Sequence, residues 1–215
     1  MGGPLEPPAP PTVLVIASGN AGKVREFAHL LTGLPLQVRA QPEGLEVEET
    51  GTSFAANARL KAEAVARATG HWALADDSGL AVEALGGAPG VHSARYADSD
   101  TSRIARLLRE LGAADQRRQE QGLPSDRRAA FVAALAVADP SGATRLEVEG
   151  RCEGVILESP RGSGGFGYDP VFFVPSAGLS YAEMDKGLKG RLGHRGQAFA
   201  KLEAELQDLL SRPAY

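Results

Sequence analysis

Short apolar runs and helical spacing alternate along the first half of the chain. Thr12–Ala17 is a continuous apolar run rich in β-branched residues, which is typical of a buried strand. Lys23–Leu31 places its apolar residues on one helical face, and Leu36–Ala40 has the composition of a second strand. Phe54–Thr69 has helical spacing, with Ser53 as its cap. The order of strand, turn and helix predicts an α/β fold.

The middle of the chain predicts a strand, a helix and a polar segment in succession. Trp72–Ala75 is a short apolar strand that runs into four small or acidic residues, 76–79. Ser102–Leu111 shows helical spacing of its apolar residues. Ala113–Arg128 is polar and rich in Arg and Gln, and we interpret it as an exposed insertion.

The last third predicts a long antiparallel hairpin. Its strands, Ala129–Ala138 and Arg145–Cys152, flank the turn sequence Asp139–Gly142. Val171–Val174 predicts a further strand, and Gln197–Leu210 has the pattern of an amphipathic helix.

The proline distribution indicates where the folded part begins. Met1–Pro11 contains five prolines and predicts a flexible tail. Nothing in 12–215 has the composition of a second linker. We therefore expect one domain over residues 12–215, folded as two lobes.

Composition narrows the class of protein. The 215 residues carry a formal net charge of −4, which argues against a nucleic acid polymer as partner. The apolar runs are too short to span a membrane, and no basic segment typical of a secretory signal precedes them. Cys152 is the single cysteine, so no intrachain disulfide can form. These features predict a cytoplasmic protein.

The turn Ser18–Lys23 is the first candidate site. Backbone N–H groups at a helix start attract anions, and Lys23 adds a positive charge. A Walker A loop requires Gly and Ser/Thr where this chain has Ala17 and Val24, so a P-loop NTPase is not expected. The alternative is a simple tight turn.

Acidic residues form the second candidate site. Glu48 and Glu49 precede the long helix, and Asp76 and Asp77 follow the predicted strand. A few carboxylates suit Mg²⁺, which keeps water ligands and takes others from substrate phosphates. A solvated acidic turn is the alternative. Asn57 and Lys61 are four residues apart on the predicted helix, so they would lie on one face of it. Such a polar pair is common on surface helices, and it indicates a site only because Glu49 precedes this helix.

Two further segments could contact a planar ligand. The glycine-rich run 164–170 contains Phe166, whose ring could stack on a nucleobase. Lys186–Gly196 is a local cationic cluster whose donors suit phosphate or base carbonyl oxygens. A loop around a core Phe and a solvated basic loop are the respective alternatives.

Taken together, these motifs resemble the inosine/xanthosine triphosphate pyrophosphatases. Six motifs occur in the order of that family and cover about Val13 to Leu210: Ser18-x-Asn20-x-x-Lys23, Glu48–Gly51, Ala75–Leu80, Gly87–Tyr96, Gly165–Pro170 and His194–Gly196. Two positions depart from the family pattern. Ser18 stands where the family usually has Thr, and Gly193 where it usually has Ser.

The resemblance implies an elongated mixed β-sheet flanked by helices, with two lobes around a central nucleotide-binding cleft. It also implies a homodimer and Mg²⁺-dependent cleavage of ITP, dITP or XTP to the monophosphate and pyrophosphate. By motif position, Glu49 and Asp77 would hold Mg²⁺, and Asp77 would also be the base that activates water. The residues implied for substrate binding are Ser18, Asn20, Lys23, Lys61, Asp76, Ser78, Phe166, Gly167, Tyr168, Asp169, Lys189, His194 and Arg195.

The implied roles divide by chemistry. Ser18, Asn20, Lys23 and Lys61 would hold the triphosphate, and Asp76 would support the neighbouring carboxylate. Phe166 would stack on the purine, whose edge would be read by Asp169, Lys189, His194 and Arg195. A septum-formation-type pyrophosphatase acting on other or modified nucleotides and a non-catalytic nucleotide-binding module are the alternatives.

Overall fold

The computed structural model describes residues 11–211. The first half of the chain forms β1 (Thr12–Ile16), α1 (Ala21–Leu30), β2 (Leu36–Ala40), α2 (Phe54–Thr69) and β3 (Trp72–Val82). Short 3₁₀ helices, Glu83–Leu85 and Gly90–Arg95, lead into the second half.

The second half supplies the rest of the sheet and three more helices. These are α3 (Asp100–Glu120), β4 (Arg128–Ala138), β5 (Thr144–Ile156), β6 (Phe172–Val174), β7 (Leu179–Ser180), α4 (Lys186–Leu192) and α5 (His194–Ser211). A 3₁₀ turn, Asp169–Val171, leads into β6.

The strands form one mixed sheet in the order β2-β1-β3-β4-β5-β6-β7. β1 is parallel to both β2 and β3, and the remaining pairs are antiparallel. The predicted mixed sheet flanked by helices is therefore confirmed. The long hairpin is also present, since β4 and β5 pair along their length.

Three apolar clusters pack on this sheet. On the half that contains β1, side chains of α1 and α5 cover one face, for example Phe27 and Leu202, and alanines of α2 such as Ala62 cover the other. The third cluster lies at the far end, where α3 residues such as Leu107 pack with Leu80. The middle of β3 therefore lies between two separately packed regions.

The predicted end of the third strand is wrong. β3 continues through the acidic pair to Val82, with Asp76 opposite Leu135 and Asp77 opposite Ala134 of β4. The strand persists because β4 offers an unbroken partner and because each carboxylate meets cations, as described below.

The predicted exposed insertion at 113–128 is also wrong in its first part. α3 extends to Glu120, and Ala114 and Asp115 are buried. Asp115 Oδ2 lies 3.0 Å from Nη1 of Arg127, which leads into β4. The segment is polar because a helix packed on one side needs only a narrow apolar stripe.

The basic segment before the last helix is itself helical. Asp185 caps α4 by accepting a hydrogen bond from the Leu188 N–H at 2.8 Å, and α5 begins at His194, earlier than predicted. Of the predicted tail, residues 1–10 lie outside the described residues. The extent of the single domain stays a prediction.

Candidate active site

The turn before α1 is shaped by its own polar side chains. Asn20 caps the helix, and its Oδ1 accepts hydrogen bonds from the backbone N–H groups of Gly22 at 2.8 Å and Lys23 at 3.3 Å. Ser18 Oγ accepts from the Asn20 N–H at 3.1 Å. Ser18 also lines a surface depression of about 470 Å³ between this turn and residues 40–44. The turn thus directs Lys23 towards the sheet from a fixed helix start.

Asp76 is the centre of one polar cluster, the Asp76 cluster, made of Lys23, Asp76, Ser78 and Arg195. Asp76 Oδ2 lies 2.7 Å from Lys23 Nζ and 3.8 Å from Arg195 Nη2. Arg195 also donates to Ser78 Oγ at 3.2 Å. Burial raises the pKa of Asp76, but Lys23 and Arg195 outweigh it and lower this pKa to about 2.

Asp77 is the centre of a second cluster, the acid–lysine cluster, made of Glu49, Asn57, Lys61, Asp77 and Arg95. Lys61 Nζ lies 2.9 Å from Glu49 Oε1 and 3.5 Å from Asp77 Oδ1, and donates to the Asp76 carbonyl at 2.9 Å. Asn57 Nδ2 donates to Asp77 Oδ2 at 3.2 Å. Arg95 Nη1 lies 3.2 Å from Glu49 Oε2.

The two acids of this cluster differ electrostatically. Burial raises the pKa of Asp77, and the nearby Glu49 adds to this effect against Lys61. Burial also acts to raise the pKa of Glu49, but Lys61 and Arg95 lower it overall. The cluster therefore pairs a readily ionised carboxylate with a more basic one.

Close backbone approaches bring the second cluster together. Gly51 N–H donates to Asn57 Oδ1 at 2.8 Å, and a Cβ at Gly51 would lie 2.6 Å from that oxygen. A Cβ at Gly79 would lie 2.7 Å from the Gly90 carbonyl oxygen. These two glycines let the acidic loop approach α2 and let the 3₁₀ helix that carries Arg95 approach β3.

The donor set of the acid–lysine cluster fits a hard divalent cation. Among residues 11–211, no three His, Cys, Asp or Glu side chains come together as a metal site. Glu49 and Asp77 nevertheless converge on one cationic group, the Lys61 ammonium. Two carboxylates suffice for Mg²⁺, because it retains waters and takes ligands from substrate phosphates.

Phe166 presents an exposed aromatic face next to two cations, and we call Phe166, Asp169 and Lys189 the Phe166 cluster. The Phe166 residue is 65% exposed. Lys189 Nζ lies 5.4 Å from its ring centroid and Arg195 Cζ 5.9 Å. Asp169 forms an ion pair with Lys189 and accepts from the Phe166 N–H at 3.0 Å.

Tyr168 and His194 are among the predicted ligand residues that the structure buries. Tyr168 is 3% exposed, and its hydroxyl donates to the Ser93 carbonyl at 2.9 Å, so its side chain anchors the loop in the core. His194 is 8% exposed and stacks on Phe131 at a centroid distance of 4.9 Å. Its buried Nδ1 has no hydrogen-bond partner among the described residues.

The three clusters are connected. Arg195 reaches both the Phe166 ring and Asp76, and Lys61 joins the Asp76 carbonyl to Asp77. Because alternate strand residues point to opposite faces, Asp76 meets α1 and α5, whereas Asp77 meets α2. Of the predicted cations, Lys23, Lys61 and Arg195 therefore approach the middle of β3 from both of its sides.

Two residues that contact the site, Arg95 and Asp100, were given no role by the sequence analysis. Arg95 belongs to the motif Gly87–Tyr96, yet its contact with Glu49 depends on the packing of the 3₁₀ helix. Asp100 accepts a hydrogen bond from the Gly167 N–H at 2.7 Å, across 67 residues. No local pattern signals that contact.

The fold and the site define an α/β protein with paired carboxylates and lysines at mid-sheet, beside an exposed aromatic ring flanked by cations. Comparison with known families agrees with this description. The Ham1 family model matches residues 14–205. This chain belongs to the Ham1 family, which confirms the resemblance on which the predicted roles rest.

Curated relatives cover nearly the whole chain. A dITP/XTP pyrophosphatase of Synechococcus sp. (strain CC9311) is 62% identical over 92% of this chain and 91% of its own length. A dITP/XTP pyrophosphatase of Nostoc sp. (strain PCC 7120) is 50% identical over 94% of this chain and 98% of its own.

Solved structures agree on the fold. A HAM1 protein from Coxiella burnetii superposes with a TM-score of 0.84 at 42% identity, covering 92% of this chain and 99% of that one. The Staphylococcus aureus Ham1 protein gives 0.81 at 39% identity, covering 92% and 100%. Among the residues described, no helix is long and apolar enough to cross a bilayer.

Proposed function

We propose that this chain hydrolyses the deaminated purine nucleotides ITP, dITP and XTP to the monophosphate and pyrophosphate. The carrying observation is the acid–lysine cluster, in which Lys61 Nζ lies 2.9 Å from Glu49 and 3.5 Å from the buried Asp77. The names of the relatives, dITP/XTP pyrophosphatases, support the substrate class. Such activity would clear non-standard nucleotides from the precursor pool.

The triphosphate would be held by the turn and by two lysines. Ser18 and Asn20 lie at the start of α1, where the positive end of the helix dipole favours an anion. Lys23 and Lys61 are paired with carboxylates. Phosphate oxygens would compete with those carboxylates for the two ammonium groups, so substrate binding exchanges one set of ion pairs for another.

Glu49 and Asp77 would hold Mg²⁺, which when bound neutralises phosphate oxygens and orients the leaving pyrophosphate. Asp77 would accept the proton of the attacking water. The water oxygen would bond to the α-phosphorus as the bond from that phosphorus to the bridging oxygen breaks, so the bridging oxygen departs with pyrophosphate. Asn57 orients this carboxylate through its 3.2 Å hydrogen bond to Oδ2, which leaves Oδ1 to face Lys61. A positioned base of this kind contributes about 10²–10⁴-fold.

Purine recognition would use the Phe166 cluster. The exposed Phe166 ring offers a stacking surface worth about 1–3 kcal/mol per base. Lys189 and Arg195 are donors, matching the 6-oxo acceptor of hypoxanthine and xanthine, whereas adenine presents an amino donor there. Asp169 holds Lys189 in place, and His194, which is buried, would read the base edge from a deeper position.

Pyrophosphate release from ITP, XTP, dITP, GTP, ATP, dTTP and methylated GTP, with and without Mg²⁺, tests this function. We expect release from the deaminated purines to exceed release from ATP and GTP, and to require the metal. Preference for dTTP or methylated GTP would favour the septum-formation type, which the Ham1 match does not support. Binding without release would indicate a non-catalytic module.

We also propose that the protein is a homodimer in the cytoplasm, as the family resemblance implies. Light scattering of the purified chain would give about twice the monomer mass of 22.5 kDa. A monomeric mass would contradict the dimer without affecting the proposed chemistry.

A further inference from the structure

The position of the Phe166 ring is set by the backbone of its loop and not by side chains packed around it. With 65% of the residue exposed, few neighbours hold the ring in place. Its position must therefore depend on the loop 165–169. Gly165 and Gly167 have φ angles of +75° and +61°, so the loop turns sharply on either side of the ring.

Three side-chain hydrogen bonds are among the contacts that fix this loop, and we call them its anchors. Asp169 accepts from the Phe166 N–H at 3.0 Å, and the Tyr168 hydroxyl donates to the Ser93 carbonyl at 2.9 Å. The third anchor is Asp100, whose Oδ2 accepts from the Gly167 N–H at 2.7 Å. Asp100 is the first residue of α3, so this anchor ties the loop to a different element.

The Asp100 carboxylate is itself held in position. Its Oδ1 lies 2.6 Å from Arg103 Nη1, and the Arg103 Nε donates to the Ala97 carbonyl at 3.0 Å. Asp100 also sits in the first helical turn, where a negative charge interacts favourably with the helix dipole. Both oxygens therefore have fixed partners, one of them the amide that follows Phe166.

We propose that Asp100 is a positioning residue for purine stacking, acting through Gly167 to hold the Phe166 ring at the nucleotide site. This inference rests on the proposed function. Asp100 touches neither the acid pair nor the phosphate-binding lysines in this structure. Its effect should therefore fall on base binding and spare the cleavage step.

The test compares Asp100→Ala with variants that separate its two contacts. Asp100→Ala should raise KM for ITP about three- to tenfold, the effect of losing one hydrogen bond of ordinary net strength, and leave kcat within about twofold. Asp100→Asn keeps an acceptor oxygen and should restore most of the affinity. Arg103→Met loosens the carboxylate but keeps the acceptor, so it should raise KM less than Asp100→Ala does.

Two further measurements show whether Asp100 acts through the ring. In a Phe166→Ala background, Asp100→Ala should raise KM no further. Inhibition by inorganic triphosphate, which has no base, should be unchanged by Asp100→Ala. An unchanged KM, a full additional loss in the Phe166→Ala background, or an equal weakening of triphosphate inhibition would each overturn the inference.

Calorimetric binding of ITP separates this inference from the proposed function. If the wild type binds ITP without hydrolysing it and Asp100→Ala weakens that binding, the proposed function fails and the positioning role stands. If the wild type hydrolyses ITP and Asp100→Ala leaves its affinity unchanged, the positioning role fails alone.

Discussion

Removing the Lys61 ammonium should destabilise the protein more than any change at an exposed lysine. Lys61→Met keeps the aliphatic stem but removes the Nζ that contacts Glu49, Asp77 and the Asp76 carbonyl within 3.5 Å. The Lys61 side chain is 14% exposed and that of Asp77 12%, so the loss occurs largely out of water. Two carboxylates would then face each other without their shared cation.

The magnitude follows from which partners remain. Breaking a buried pair costs about 3–5 kcal/mol. Here Glu49 keeps Arg95 and Asp77 keeps Asn57, which places the expected loss at about 2–3 kcal/mol. For a chain of this size, that lowers the unfolding midpoint by about 4–12 °C.

Urea and thermal unfolding of Lys61→Met and of a matched control provide the assay. Lys201→Met is the same substitution at an exposed lysine whose Nζ donates, within the described part of the chain, to the Glu149 carbonyl at 2.7 Å. It should cost less than about 1 kcal/mol. Mg²⁺ should stabilise Lys61→Met more than the wild type, since the acid pair has lost its competing ammonium. Equal stabilities of the two variants would refute the reasoning.

Three further outcomes are expected. Asp77→Asn should abolish pyrophosphate release while nucleotide binding remains measurable by calorimetry; near-normal turnover would disprove its role as the base. Arg195→Ala should raise KM for ITP far more than for ATP, and equal increases would assign Arg195 to phosphate binding instead. Burial and Arg195 lower the pKa of His194 to about 3. Between about pH 6.5 and 3, the His194 imidazole is therefore protonated in the unfolded chain but neutral in the folded one. The free energy of unfolding falls as the pH falls through that window. His194→Phe should reduce this acid loss by up to about 1.4 kcal/mol per pH unit in urea titrations, and an unchanged slope would contradict a buried neutral imidazole.

Local patterns predicted the elements whose signals are local. The apolar run of β1, the Ser53 cap of α2 and the turn of the β4–β5 hairpin each follow from a few adjacent residues. The candidate site was predictable as a set of residues because its motifs keep the order of the family. The order of the motifs does not predict which of these side chains contact one another, because those contacts depend on how the helices pack on the sheet.

The failures involve long-range partners. Asp76 and Asp77 ended the predicted strand because no local rule favours two acids inside a sheet. They are accommodated because Lys23, Lys61 and Arg195 arrive from three separate helices. The polar segment that contains Asp115 was likewise expected to be exposed, but Asp115 is buried against Arg127, twelve residues further along the chain. Burial of charge depends on partners that spacing alone does not reveal.

Asp76 and Asp77 are adjacent in β3, so the alternation of side chains along this one strand decides which ion pairs each carboxylate makes. Neighbouring side chains of a strand point to opposite faces of the sheet. Asp76 therefore contacts residues of α1 and α5, whereas Asp77 contacts residues of α2. Inserting or deleting a single residue ahead of them in β3 would exchange both sets of partners together. The number of residues in β3 ahead of Asp76 therefore cannot change by one without misplacing both carboxylates. We expect insertions and deletions to be tolerated in the loops that connect the strands and helices instead.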